Sequence, residues 1–192
     1  MRSVIIGAAA VVAVTCVGAR ADEGFEAFRQ MCMATRADPA QALAAGDKAG
    51  WMPIPKMMLD QFPKSEFQDP KGRLRTTDDA FLMLILAHGQ PMFSPDVDVQ
   101  ICAIARMPGQ QGMFDKDAAE LAAVDSDQIA DGKTAYIWRD ENGKHIKVDH
   151  DSRRIKDWVA KGTLNFLVSQ SEDKISMVML AVPTPATAPA KP

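Results

Sequence analysis

The chain has 192 residues, 47% of them hydrophobic, with 22 Lys and Arg against 25 Asp and Glu. A mildly acidic chain without a basic cluster is a poor binder of nucleic acid or of anionic membrane, because both are recognised by neutralising negative charge. The length suits one domain that can bury a core without help from metals.

Met1-Arg2 gives a short basic start, Ser3 to Gly18 carries no charge, and Ala19-Arg20-Ala21 fits the small-x-small rule for cleavage after Ala21. Together these read as a secretory leader over residues 1–21, too short in its apolar part for a spanning helix. An uncleaved anchor is the alternative. Lipidation at Cys16 is another, against which Val14-Thr15 stand where small residues are preferred. Cleavage would remove Arg2 and Arg20, leave a more acidic chain without a stable membrane anchor, and place it in the periplasm or outside the cell.

Residues 24–36 are expected to be helical, with Phe25, Phe28 and Cys32 on one face at i, i+3 and i+7. Asp38-Pro39 reads as the N-cap and first turn of a second helix, ending near Gly50. Trp51-Met-Pro-Ile-Pro is an extended, proline-stiffened crossing. Residues 56–71 suggest a short helix and a loop. A first strand is expected over 73–77.

Residues 80–88 read as a strand apolar on both faces and hence central, although a buried helix ending at Gly89 fits the same run. Residues 97–106 form another strand, with Cys102 in its middle. A turn over 108–112 leads to a helix over 115–124 whose first turn is acidic, as the helix dipole favours. Residues 132–139 and 144–149 read as a hairpin around Asn142-Gly143. Ser152 can cap a helix over 153–161 that buries Ile155, Trp158 and Val159. A last hairpin joins 164–169 to 175–182. The tail from Pro183 to Pro192 holds only Pro, Ala, Thr and Lys, a composition expected to stay extended and mobile. The expected domain therefore spans 22–182. Its class is α+β, with a largely antiparallel sheet of five to seven strands and helices packed on one face.

Cys32 and Cys102 are the cysteines left after cleavage. In an oxidising compartment an isolated pair reads as a disulfide that staples the N-terminal helix to the core. Two separate buried thiols are the competing reading.

The run Phe28, Cys32, Thr35, Asp38-Pro39, Ala44, Gly50-Trp51 and Pro53, then Asp69 to Thr76, Cys102 and Gly132 to Tyr136, resembles small secreted proteins of uncharacterised function from alphaproteobacteria. The resemblance covers most of the mature chain and implies export, a structural cysteine pair and one domain. It implies no activity.

Candidate chemistry is thin. His145, Asp149, His150 and Asp151 suggest metal ligands, but residues five apart in a strand point to opposite faces. No Gly-x-Ser-x-Gly is present, and Gly109-Gln-Gln-Gly112 has no Lys-Ser/Thr after it to make a phosphate loop. Glu120, Asp125, Asp127 and Asp131 could pair as carboxylates, yet read as a helix exit and loop. Met31/Met33, Met57/Met58 and Met177/Met179 are three close thioether pairs, and thioethers favour Cu(I); Met also fills irregular cores. Trp51, Met52 and Ile54 are a candidate partner surface, or pack onto their own domain. Residues 80–87 could recruit a partner strand if they lie at an edge. No cofactor is expected. The leading expectation is an accessory or binding protein that contacts another envelope protein. A small-ligand binder or an enzyme with a dispersed site comes second, and metal handling third.

Overall fold

The computed structural model describes residues 22–89, 97–130, 132–148 and 154–185. The leader, His150 with its two aspartate neighbours, Ser152, Asp131 and the tail beyond 185 lie outside them. Asp22 accepts a hydrogen bond from the Gly24 amide at 2.7 Å and opens α1 (Glu23–Phe28). This helix widens into a π-helical turn (Arg29–Met33). Asp38 then caps α2 (Pro39–Lys48) through the Gln41 amide, with Pro39 in the first turn. The chain continues through β1 (Met52–Pro53), α3 (Lys56–Leu59), β2 (Gln68–Thr76), β3 (Phe81–Gly89) and β4 (Val97–Met107). Next come α4 (Asp115–Ala122), β5 (Asp127–Ala130), β6 (Lys133–Glu141) and β7 (Lys144–Lys147). The last elements are α5 (Ile155–Ala160), β8 (Leu164–Glu172) and β9 (Ile175–Pro185).

Among the described residues the fold is α+β with one antiparallel sheet of nine strands, larger than the expected five to seven. Its order is β1-β2-β3-β4-β9-β8-β6-β5, with β7 also on β6. The additional strands are short and lie at the two ends of the sheet. β1 is two residues of the proline-stiffened crossing, and β5 lies where the acidic run reads as loop. Residues 81–89 form a strand and not a helix, and β3 is interior, between β2 and β4. That position removes it as a docking edge.

Direct partners across the ladders share a face, so register sorts the core. Leu84, Ile104, Val178 and Ser169 stand in one row; Met83, Ala105, Met177 and Gln170 stand in the next, on the opposite face. The first face buries Phe25, Phe28, Cys32, Trp51, Phe114 and Trp138 under α1, the π-helical turn, α2 and α4. The second carries α5, through Ile155 and Val159, and α3, through Met58 and Leu59. Helices therefore cover both faces, not one. Interior strands that are apolar on each side require cover on each side. Trp158 of α5 lies only partly buried, with the Arg139 and Arg154 guanidinium groups 5.3 and 5.8 Å from its ring centre.

β9 runs to Pro185, so residues 183–185 belong to the sheet and not to the tail. Its ladder with β8 reaches only Ala181, opposite Phe166. Beyond that point β9 pairs with β4 alone, and a proline on such an edge leaves no ladder bond unmade.

Candidate functional site

Cys32 and Cys102 are bonded, with their Cα atoms 5.3 Å apart. The bond ties the π-helical turn to the middle of β4. Phe25, Phe28 and Cys32 all face inward, as their spacing predicts.

The remaining sequence candidates disperse. Trp51 and Ile54 are buried (4% and 6% exposed), while Met52 between them is 60% exposed. Trp51 packs in the first-face core, and Ile54 in the second, over Gly72. Only Met52 of the three is presented outward. His145 Nδ1 donates to the Ala122 carbonyl at 2.8 Å, and its ring stacks on Trp138. His88 is exposed at the end of β3. Among the described residues no group of three or more His, Cys, Asp and Glu is placed to hold a metal ion. Glu120 pairs with Lys116 one turn back, and Asp127 lies 3.4 Å from Lys147. The Gly109–Gly112 loop is held by serines: Ser176 Oγ accepts from the Gln110 amide, and Ser171 Oγ from the Gly112 amide. With the Gly109 amide bonded to the Lys174 carbonyl, the amides of Gly109, Gln110 and Gly112 are committed to the fold.

A polar cleft of about 680 Å³ opens beside α1. Arg106, 11% exposed at its side chain, reaches Asp79 at 2.6 Å and Asp22 at 3.7 Å, and Arg75 reaches Glu23 at 2.8 Å. Hydrogen bonds from Thr77 and Arg106, with the charge of Arg106, hold the Asp79 carboxyl below its usual value. The charged groups of this cleft thus largely satisfy one another. Trp51 Nε1 and Arg106 Nε find no acceptor among the described residues, and both atoms are shielded from solvent.

The second face is different. Beside α3 and the segment that follows it the cover is incomplete, and two cavities of about 360 and 350 Å³ lie over the strands. They share Glu66 and Phe67 as lining. The first is bounded by Met58, Met83, Met107 and Met177, with Lys133, Glu172 and Asp173 also on its wall. The second is almost wholly apolar, lined by Val99, Ile101, Ile137, Phe166, Val168 and Met179, with Ile129 54% exposed beside them. Cavities of this size and lining bind apolar groups by excluding water from them.

Of the methionine pairs read from the sequence, Met31 and Met33 stay together in the first-face core, Met57 is 75% exposed while Met58 lines a cavity, and Met177 and Met179 share a face but line different cavities. The structure instead gathers Met58, Met83, Met107 and Met177. No local signal marks this group, because its members come from four elements. Comparison with protein-family models, curated proteins and solved structures gave no match.

Proposed function

We propose that this is an exported, non-catalytic binding protein that receives an apolar part of another envelope protein on the second face of its sheet. The observation that carries the reading is the apolar cavity lined by Ile101, Ile137, Phe166, Val168 and Met179. Apolar surface held open in this way marks an interaction site. The cavity's lining is apolar apart from Ser65 and Glu66, which favours binding of an apolar group. The Cys32–Cys102 bond supports an address outside the cytoplasm, where disulfides persist. The leader read from residues 1–21 supports the same address.

A photo-crosslinking residue at Val168, compared with one at Gln41 on the exposed side of α2, tests this in the envelope. A protein adduct from position 168 and none from 41 is expected. Equal adducts from both positions, or none from either, would overturn the reading.

One observation favours a second reading. The two cavities share a wall, and each falls within the size range of a small-molecule pocket. An apolar molecule retained in native mass spectrometry and lost from Val168→Lys would move the assignment to small-ligand carriage.

A further inference from the structure

We infer that the methionine-lined cavity is a binding site for monovalent copper, built from the thioethers of Met58, Met83, Met107 and Met177. Register sets the floor. Met83 and Met177 flank Ala105 in one row across β3, β4 and β9, and Met107 stands two residues along β4 on the same face. Ala105 is fully buried and short, so the row is hollow at its centre and long side chains on either side can lean across it. Met58 belongs to α3 and supplies the fourth sulfur from the helix side.

Three donors from a sheet and one from a helix can enclose an ion. Unbranched thioether chains can swing to close a cavity larger than the ion itself. Thioether sulfur is soft and neutral, so it selects Cu(I) over harder divalent ions and needs no deprotonation to bind. Glu66, Glu172 and Asp173 line the cavity against the single ammonium of Lys133, and that balance favours a cation. The thiols of Cys32 and Cys102 are bonded to each other and offer no competing site.

Leucine matches methionine in volume but carries no donor, so it separates packing from sulfur ligation. Leu replaces Met at nearly constant volume, with a usual cost below about 1.5 kcal/mol. The protein is titrated, without oxygen, against a chromophoric Cu(I)–bathocuproine complex. Wild type is expected to withdraw one equivalent of Cu(I). Met83→Leu/Met177→Leu is expected to weaken the transfer about tenfold or more, at least the scale of loss that outer-shell changes at metal sites produce. Circular dichroism should confirm an unchanged fold. Failure to withdraw copper, equal withdrawal by the folded double variant, or displacement of the bound ion by equimolar Zn²⁺ would each overturn the proposal. These results do not depend on whether the neighbouring cavity docks a partner.

Discussion

Asp140 accepts a hydrogen bond on Oδ2 from Asn165 Nδ2 at 2.9 Å, joining β6 to β8. Its other oxygen accepts from Trp138 Nε1 at 3.2 Å, and Arg36 approaches Oδ2 at 3.3 Å. Trp138 and Asn165 are both buried, so this one carboxylate accepts from two side chains set in the core. Asp140→Ala should cost about 1–3 kcal/mol, the scale for one buried donor left unpaired, because Trp138 Nε1 loses its acceptor while Asn165 Nδ2 keeps the Thr163 carbonyl. Asp140→Asn should cost less, since an amide oxygen still accepts one of the bonds. Chemical denaturation of the two variants would rank them. An alanine variant as stable as wild type would mean that the donors find other acceptors.

The Cys32–Cys102 bond closes a separation of 70 residues. A loop of that length is expected to contribute about 4 kcal/mol on the chain-entropy account. Cys32→Ala/Cys102→Ala should therefore melt well below wild type, and reduction should shift wild type toward the variant. A reductant-insensitive wild-type melting curve would contradict this.

Asp79 and Asp47 are both held below their ordinary value of 3.8. For Asp79 the hydrogen bond from Thr77 leads, followed by that from Arg106; for Asp47 the leading cause is the hydrogen bond from Arg73. A lowered folded value means that the unfolded chain binds the proton first. The stabilisation is then complete above 3.8 and is lost as pH falls through the lower, folded values. Both carboxylates are solvent-exposed, so the effect should be small and sensitive to salt. Stability measured down the acid limb should fall less steeply for Asp79→Asn than for wild type.

Tyr136 is the single tyrosine of the chain, so tyrosinate absorbance reports on it alone. Burial, and then the negative charge of Asp115, push its hydroxyl above the ordinary 10.0. The folded protein keeps the proton longer than the unfolded chain. Its contribution to stability is therefore full below about 10 and declines as pH rises past that value. The absorbance of native protein should rise at higher pH than that of protein in denaturant. Coincident curves would show that the ring is not shielded.

Gly72 lies in β2 opposite Ile85, and a Cβ there would meet the Leu84 carbonyl oxygen and the Ile54 side chain. Gly72→Ala should destabilise by about 1–3 kcal/mol, the usual cost of overpacking. The loss should be partly recovered in Gly72→Ala/Ile54→Val, which a thermal melt of the two variants would show.

The parts of the fold that were legible in the sequence rest on short-range pattern. Alternating Leu82, Leu84 and Leu86 against Met83 and Ile85 marks a strand buried on two sides, and Asp38-Pro39 marks a helix start. Phe25, Phe28 and Cys32 mark the face that the disulfide holds down. The short edge strands were not legible. In β5 a single exposed isoleucine stands in a polar segment, and pairing with β6 rather than propensity makes it a strand. The second layer of helices was hidden for a related reason. α3 has four residues, too few to display a period, and it packs on the second face of the sheet through Met58 and Leu59. The methionine cavity joins residues 58 and 177, a relation that no sequence window contains.

The position of β9 bears on how the molecule comes to be. It is the last strand among the described residues, yet it lies between β4 and β8. Until a ribosome has finished β9, the strands made earlier form two half-sheets with no ladder between them. Assembly must wait for the whole domain. A nascent chain that stays open while it is being made is also one that can be threaded across a membrane before it closes.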